Sequence, residues 1–502
     1  MNTLIISALK SALQSAGLLR TDVLLLAAVS GGADSVALLH GLHLLQSQVP
    51  YRLAAVHVEH GLREDSSQQD ALFVQNLCET LHIPLFLYHA NLQGGMNSAA
   101  AEVRARTARQ QFFRTALTDC KADALLVAHH RDDQAETVLM RLLRGAGAKG
   151  LAAMCVAGPF ADALLLRPFL GLPRTALSDA LRREGLTWRE DESNAEPCSL
   201  RNRLRLCVMP LLEEYRPQAA AHMAQAAERL AWDEDCLHAL AKDALKNAAV
   251  SVLPCCTLDC SALMASPKAV VLRSLRLWYE QGMACAMRSA DIEHDDSIPP
   301  APLPSAANVE RSLSHTDSVH LYHLLQSDCT GSLNLPHALR AERTSHYLHL
   351  LHENGSPIPP CAPHLQQRIQ SAQQDYRLGA IRFTLLPAQD SALPTNACTL
   401  PLSSALLAKG LLLRCPLPGD MIHPFGAKGK KPLRRYFTDR KVDRPFRATW
   451  PVLACGQDIL WVAGIGAAEE TRLSNPQNAP LLLRLVGSLP YKNTFSAGFQ
   501  NK

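Results

Sequence analysis

Two short stretches gather residue types that handle phosphates. The first is SGGADS, Ser30 to Ser35, set between the apolar run VLLLAAVS and a segment with apolar residues at helical spacing. A strand that ends in two glycines and enters a helix at once leaves backbone N–H groups open, and with the helix N-terminus these make an anion site. Gly31 and Gly32 let the backbone come close to phosphates, and Ser30 and Ser35 add hydroxyl groups. The loop has no lysine of the GxxxxGK-S/T kind and is not GxGxxG. Asp34 would repel phosphate in a plain cradle. It makes sense as a ligand of Mg²⁺ that the phosphates also bind. As a bare hexapeptide the stretch also fits an ordinary Asp/Ser helix cap.

The second is HHRDDQAE, His129 to Glu136. Asp132, Asp133 and Glu136 stand at helical spacings, so two or three carboxylates share one face at a helix start. They could serve only the macrodipole. Beside a triphosphate they would instead hold Mg²⁺ together with Asp34, near solvent. His129 could donate to a phosphate, steer a proton, or be a buried structural histidine. Arg106 and Arg109, with Arg104 and Arg114, lie on a long helix, either as a solvated face or turned to phosphate charge. His57, His60, Gly61 and Arg63 follow the second strand, at the carboxyl end where a ligand would lie. Asp191, Ser193, Asn194, Arg201 and Asn202 could line the cleft that receives a base.

The elements that must position these residues are legible. From residue 22 to 147, apolar strands alternate with amphipathic helices: VLLLAAVS, YRLAAVHVEHG, PLFLYHA and ALLVAHH, each followed by a helical segment. This predicts an α/β doubly wound parallel sheet with ligands at the carboxyl ends of its strands. The expected organisation is a catalytic domain over 1–216 and a mostly helical middle domain over 217–330. A β-rich connecting region over 331–400 and a small mixed α/β C-terminal domain over 401–502 follow. The middle domain carries an acidic, proline-rich insertion near 289–310.

The length of 502 residues exceeds one domain, and 47 % apolar residues can build sizeable cores. The net charge of +4 is small, so nucleic-acid contact must come from a local basic patch. Fifteen cysteines without a CxxC pair read as free thiols of a reducing, cytoplasmic setting. No uncharged apolar run reaches the roughly 20 residues of a membrane helix, and no signal peptide is visible.

The motifs together resemble a known family. SGGADS resembles the SGGxDS loop of the PP-loop N-type ATP pyrophosphatases, adenine nucleotide alpha hydrolase-like enzymes that split ATP into AMP and pyrophosphate. VHVEHGLR (56–63), ARTAR (105–109), AHHRDDQAETVLMRLLRGAG (128–147) and WREDESN with RN (188–194, 201–202) resemble elements of the tRNA(Ile)-lysidine synthetases, as does RCPLPGDMIHPFGAKGKKPLRRYFTDRKVDRPFR (414–447). Gln110 stands where that family has Tyr, and Glu192 where Pro is common.

The resemblance implies a bacterial tRNA-modifying ligase that forms a carbon–nitrogen bond. ATP, with Mg²⁺, would adenylate C2 of the wobble cytidine of a CAU-anticodon isoleucine tRNA. The ε-amine of L-lysine would then expel AMP, with a carboxylate or histidine taking its proton. Ser30, Gly31, Gly32, Ala33, Asp34, Ser35 and His57 would bind ATP. Asp34, Asp132, Asp133 and Glu136 would hold the metal. Asp34, Asp133, Glu136, Arg106, Arg109 and His129 would act in catalysis. The rivals are a tRNA thiolase, which generally needs paired cysteines, and a non-catalytic ATP-binding module. The oligomeric state stays open, a homodimer being one option.

The densest basic tract, Lys428 to Arg447, holds nine basic residues against Asp439 and Asp443, with Tyr436, Phe437 and Phe446 interleaved. It is either a solvated face or a tRNA-body contact through Lys428, Lys430, Lys431, Arg434, Arg435, Arg440 and Lys441. Arg201 and Asn202 would join as further contacts, and stacking would be possible on the aromatics.

Overall fold

A computed structural model of the chain describes residues 3–59, 64–89, 99–189, 199–250, 256–291, 313–327, 329–356, 358, 366–370, 375–378, 381–387, 397–472 and 481–486. The chain divides into two compact units, one ending at Cys236 and the other running from Leu237 onward apart from residues 301–310.

The first unit opens with α1 (Thr3–Ser15), β1 (Leu24–Ala28), α2 (Ala33–Gln46), β2 (Arg52–Glu59), α3 (Glu64–Thr80), β3 (Leu85–His89), α4 (Ala99–Cys120) and β4 (Ala124–Leu126). It continues with α5 (Arg131–Leu143), α6 (Ala148–Leu151), a hairpin of β5 (Ala157–Phe160) and β6 (Ala163–Leu166), α7 (Arg174–Arg183) and α8 (Leu200–Arg203). After a π-helical turn at Leu204–Val208 come α9 (Met209–Tyr215) and α10 (Ala219–Ala248), which crosses into the second unit. The sheet order is β3-β2-β1-β4-β6-β5. β1 pairs in parallel with β2 and with β4, so it lies at the centre.

Why these runs form a two-faced sheet is visible in β1. Leu25 and Ala27, with Val29 after it, enter one core with α1, α2 and α7. Leu24 and Leu26 enter the opposite core, which α4 closes through Ala116 and Leu117. A strand buried on both faces must be apolar throughout, which is how the sequence reads. The four expected strands are all present and parallel. The β5–β6 hairpin, whose β5 runs antiparallel, extends the sheet beyond them. The chain leaves β1 toward β2 and β3, then returns to place β4 on the other side of β1. The crevice at that reversal is where a ligand site belongs.

The second unit has β7 (Thr257–Asp259), α11 (Cys260–Met264), α12 (Lys268–Asp291), α13 (His315–Gln326), β8 (Gly331–Leu335), β9 (Leu339–Arg343) and β10 (Tyr347–His352). The strands form one sheet, β7-β10-β9-β8. Trp278 and Tyr279 of α12 pack with Leu348 and Leu350 of β10 in one core, and the limit expected between 330 and 331 falls inside it.

Next come β11 (Gln366–Arg368), β12 (Asp375–Leu378), β13 (Ile381–Pro387), β14 (Thr399–Leu402), α14 (Ser404–Leu407), β15 (Leu412–Arg414), β16 (Met421–Ile422) and β17 (Lys431–Pro432). The unit continues with α15 (Leu433–Asp439), α16 (Arg444–Arg447), β18 (Val452–Cys455), β19 (Asp458–Val462), β20 (Gly466–Ala467) and β21 (Leu481–Val486). β14 runs across the limit expected between 400 and 401. These strands make two further sheets, one centred on β15, β18 and β19 and the other on β13 and β21. Most of the expected insertion, from residue 292, lies outside the described residues.

Candidate active site

Gly31 takes φ +90°, a conformation glycine reaches without strain. Its carbonyl accepts from the Arg189 N–H at 3.0 Å. Ser35 pins the loop from inside. Its hydroxyl accepts from the Ser30 N–H at 3.1 Å and donates to the Gly32 carbonyl at 2.9 Å. Gly32 caps α2 with no side-chain bond, so the first N–H groups of the helix stay open to a ligand. His57 is buried, and its Nδ1–H donates to the Val29 carbonyl at 2.7 Å. It therefore braces the strand end that carries the loop.

Three helix N-termini converge on Asp34. Asp34 sits in the first turn of α2. His130 caps α5, its Nδ1 accepting from the Asp133 N–H while its own N–H donates to the Asp133 carboxylate. With Nδ1 accepting, Nε2 carries the proton. That nitrogen lies 3.6 Å from Asp34 Oδ2 and 3.4 Å from Asp133 Oδ2. Arg174 opens α7; its N–H donates to Asp132 Oδ2 at 2.8 Å, and its Nε stands 4.0 Å from Asp34 Oδ2. Three dipole ends directed at one crevice favour negative charge there. Burial pushes the Asp34 carboxyl above its ordinary range, while His130 and Arg174 oppose that shift.

The four expected carboxylates are divided among three situations. Asp132 ties α5 to α7. Asp133 and Glu136 face two guanidinium groups. Arg201 reaches Glu136 at 2.7 Å and Asp133 at 2.8 Å. Arg205 reaches Glu136 at 2.6 Å and Asp133 at 3.0 Å. These arginines come from α8 and the following π-turn, at a spacing that puts both on one face. Burial by itself would raise Asp133, but His130, Arg201 and His129 outweigh it and hold the carboxyl below its ordinary range. Burial would lower Arg205, but Glu136 and Asp133 hold it above its ordinary range. Asp133 and Glu136 are buried, at 8 % and 1 % exposure, not near solvent as expected. Asp34 Oδ1 is different: it is buried and has no partner among the described residues. No group of three or more His, Cys, Asp and Glu suited to a metal comes together among those residues.

His129 is held neutral, its pKa lowered to about 4, chiefly by burial, with Arg167, Arg201 and Arg109 adding to the shift and Asp133 opposing it. Its Nδ1 is buried without a partner among the described residues. Arg109 is exposed on α4; of Arg106 only the helical backbone is described. His60, Gly61, Arg63, Asp191, Ser193 and Asn194 lie outside the described residues. Arg201 faces the carboxylates, and the Asn202 N–H donates to the Ser199 hydroxyl that caps α8.

In the basic tract, Lys430 pairs with Asp458 and Lys431 with Asp439, each at 2.7 Å. The expected stacking aromatics are not available. Tyr436, Phe437 and Phe446 are at most 2 % exposed and form a core with Trp450 and Leu433. The helical spacing of Leu433, Tyr436 and Phe437 is the sequence signal for that core.

His130, Arg174, Arg189 and Arg205 are the site residues that sequence reasoning did not single out. For Arg205 a signal existed, since it stands four residues after Arg201 on the same helical face. For His130 the signal was its place just before the acids, where a helix cap sits.

Residues 1–212 match the PP-loop domain family and residues 411–482 the TilS substrate C-terminal domain family. The tRNA(Ile)-lysidine synthase of Geobacter sulfurreducens is 30 % identical over 481 residues, covering 94 % of this chain and 95 % of its own length. That of Geobacillus kaustophilus is 30 % identical over 479 residues, covering 89 % and 92 %. Among solved structures, the U34-tRNA thiolase NcsA of Methanococcus maripaludis is 20 % identical, covers 45 % of this chain and 78 % of its own, and gives a TM-score of 0.37.

Proposed function

The chain belongs to the tRNA(Ile)-lysidine synthase family, and from that premise we propose how its site makes lysidine. It is a tRNA-modifying enzyme of the PP-loop kind that binds ATP and forms lysidine in tRNA(Ile). The observation that carries the reading is the convergence of three helix N-termini beside an open glycine loop. That arrangement suits the polyphosphate of ATP, and Gly31, Gly32, Ala33 and the first N–H groups of α2 receive its β and γ phosphates.

The reaction then proceeds by two displacements. The C2 oxygen of the wobble cytidine in a CAU anticodon attacks the α-phosphate, and pyrophosphate leaves into the field of the helix ends. The ε-amine of L-lysine, in its neutral form, attacks C2, the C2–O bond to AMP breaks, and a carboxylate or histidine at the site takes the amine's proton. Arg201 and Arg205, fixed by Asp133 and Glu136, present preorganised positive charge to the phosphate that departs in each step. Burial keeps His129 neutral, its pKa lowered. Its role is to offer a neutral ring nitrogen to the substrate.

Asp34 Oδ1, buried and partnerless, fits a Mg²⁺ ligand, and Asp132 is the second carboxylate within reach of the same crevice. One or two carboxylates with phosphate and water complete the usual Mg²⁺ shell, so a larger protein cluster is not needed. When bound, the ion neutralises charge on the leaving pyrophosphate.

The experiment is incubation of labelled lysine and labelled ATP with tRNA(Ile) transcripts. Expected are lysine label in the tRNA, loss of that label when the wobble base is changed, and AMP with pyrophosphate. ADP and phosphate as main products, or sulfur transfer in place of lysine, would overturn the reading.

A further inference from the structure

Phe425 is the only exposed aromatic side chain among residues 397–472, at 57 % exposure, whereas Trp450, Trp461, Tyr436, Phe437 and Phe446 are buried. An exposed ring on a loose loop would mean little. This one sits on a turn held from every side. Pro424 to Ala427 form a β-turn closed by the Ala427 N–H to the Pro424 carbonyl at 2.9 Å, with Gly426 at φ +75° in its third position. The Phe425 N–H donates to the Ala467 carbonyl at 3.2 Å, and the Glu469 N–H to the His423 carbonyl at 2.8 Å. His423 Nε2–H donates to the Ala427 carbonyl at 2.9 Å.

One carboxylate organises both the turn and the ring. Glu469 Oε2 accepts from the Gly426 N–H at 2.7 Å. Glu469 Oε1 accepts from Arg472 Nη1 at 2.9 Å. The Arg472 guanidinium carbon lies 5.2 Å from the centre of the Phe425 ring. The chain thus fixes a phenyl ring at a turn apex, backs it with a cation, and leaves more than half of it open. Lys428, Lys430 and Lys431 follow directly in sequence, and Arg434 and Arg435 are exposed on α15.

We infer that Phe425 is a stacking platform for a nucleobase of the tRNA, an unpaired base or the base at a helix end. The inference rests on the reading that the basic C-terminal region holds tRNA. The basic surround selects a polyanion, and a flat apolar ring backed by a guanidinium offers the π-face that a base takes without regard to its identity. Phosphate contacts from the lysines and arginines then bring the backbone in, and the ring fixes register along it.

The test uses the full chain with tRNA(Ile), measuring the dissociation constant over a range of salt. Phe425→Ala should weaken binding by about five- to a hundredfold, the effect of losing one stacked base, with the log–log salt slope unchanged because no phosphate contact is lost. Phe425→Trp should bind as the native chain does, and its indole emission should be quenched as tRNA is added. A triple variant, Lys428→Ala with Arg434→Ala and Arg435→Ala, serves as reference and should lower both affinity and slope. Native affinity in Phe425→Ala with a weakened triple variant would overturn the stacking inference alone. Native affinity and slope in both variants would overturn the reading of the C-terminal region itself. A Phe425→Ala chain that binds tRNA normally but has lost self-association on sedimentation would assign the ring to a contact between copies, and overturn the inference too.

Discussion

His130 Nε2 stands 3.6 Å from Asp34 Oδ2, so the first turns of α5 and α2 meet across the ends of two neighbouring parallel strands. The imidazole, buried at 3 % exposure, separates Asp34 from Asp133 and lets two carboxylates share one crevice. Replacement by alanine removes both that separation and the cap of α5. His130→Ala should therefore cost about 1 kcal/mol for the cap alone and lower lysidine formation by at least about tenfold. Full activity in this variant would show that the carboxylates need no spacer.

Asp34→Asn should separate activity from stability. Burial raises the Asp34 pKa above its ordinary 3.8, against the pull of His130 and Arg174. A raised value means the folded chain binds that proton more tightly than the unfolded chain. The stabilisation is complete below the unfolded pKa and is lost as pH rises through the folded value. At neutral pH the ionised carboxylate is thus a cost to the fold, and asparagine removes it. Turnover should fall by at least about a hundredfold, while the melting temperature at pH 7 stays equal or rises. That advantage should vanish below about pH 3, where both states are protonated. A clear loss of melting temperature at pH 7 would contradict this account.

Glu136 behaves in the opposite way. Both its oxygens are taken by Arg201 and Arg205, and it is 1 % exposed. Glu136→Gln leaves two partly buried guanidinium groups short of a counter-charge, a loss of about 3 kcal/mol at this degree of burial. Urea unfolding should show it. A double-mutant cycle with Arg205→Met should give a coupling above about 1 kcal/mol. Additive effects would mean that the pair is only a surface contact.

The parallel sheet was legible because a strand covered on both faces has to be apolar at every position, as in Leu24 to Ala28. The meeting of the SGGADS loop with the acids after β4 was legible from topology, since both follow neighbouring strands. Which histidine of the pair caps α5 beside Asp34 was not, because composition and spacing do not tell His129 from His130 until the cap geometry is known. Arg201 and Arg205 lie far in sequence from Glu136, and a basic residue there reads equally well as an RNA contact. The tract around Tyr436 misled for a related reason. Aromatics among basic residues suit stacking, yet Tyr436 and Phe437 stand at helical spacing with Leu433, which puts them inside.

The two loop glycines should respond differently to alanine. Gly31 has φ +90°, and an added Cβ would find its nearest atoms at 3.5 and 3.6 Å, ordinary contact. Its cost is backbone strain alone, about 1–3 kcal/mol. The shifted loop should also raise the KM for ATP. Gly32 has φ −74° and its nearest atom, Ser30 Oγ, at 3.7 Å. Gly32→Ala should therefore leave stability within about 0.5 kcal/mol. Equal losses in both variants would show that crowding, and not φ, governs the loop.

The basic tract should not act as seven equivalent charges. Lys430 and Lys431 already have Asp458 and Asp439 at 2.7 Å. These pairs are exposed, so each is worth about 0–1 kcal/mol and breaks readily. A phosphate that replaces the carboxylate nevertheless leaves that carboxylate nearby, where it repels the phosphate. Lys428, Arg434 and Arg435 are exposed and form no ion pair among the described residues, although Asp439 also feels the charge of Arg435, so their charge is more available. Removing these three should lower the log–log salt slope of tRNA binding by about 2 to 2.7 units, at 0.7 to 0.9 for each contact. Removing Lys430 and Lys431 together should lower it by less than about one unit, because a lysine whose charge stays with its aspartate neutralises little phosphate charge in the native chain. Titrations of both variants at several salt concentrations decide the matter. A larger slope change from the Lys430 and Lys431 pair than from the other three would show that the paired lysines are the main phosphate contacts.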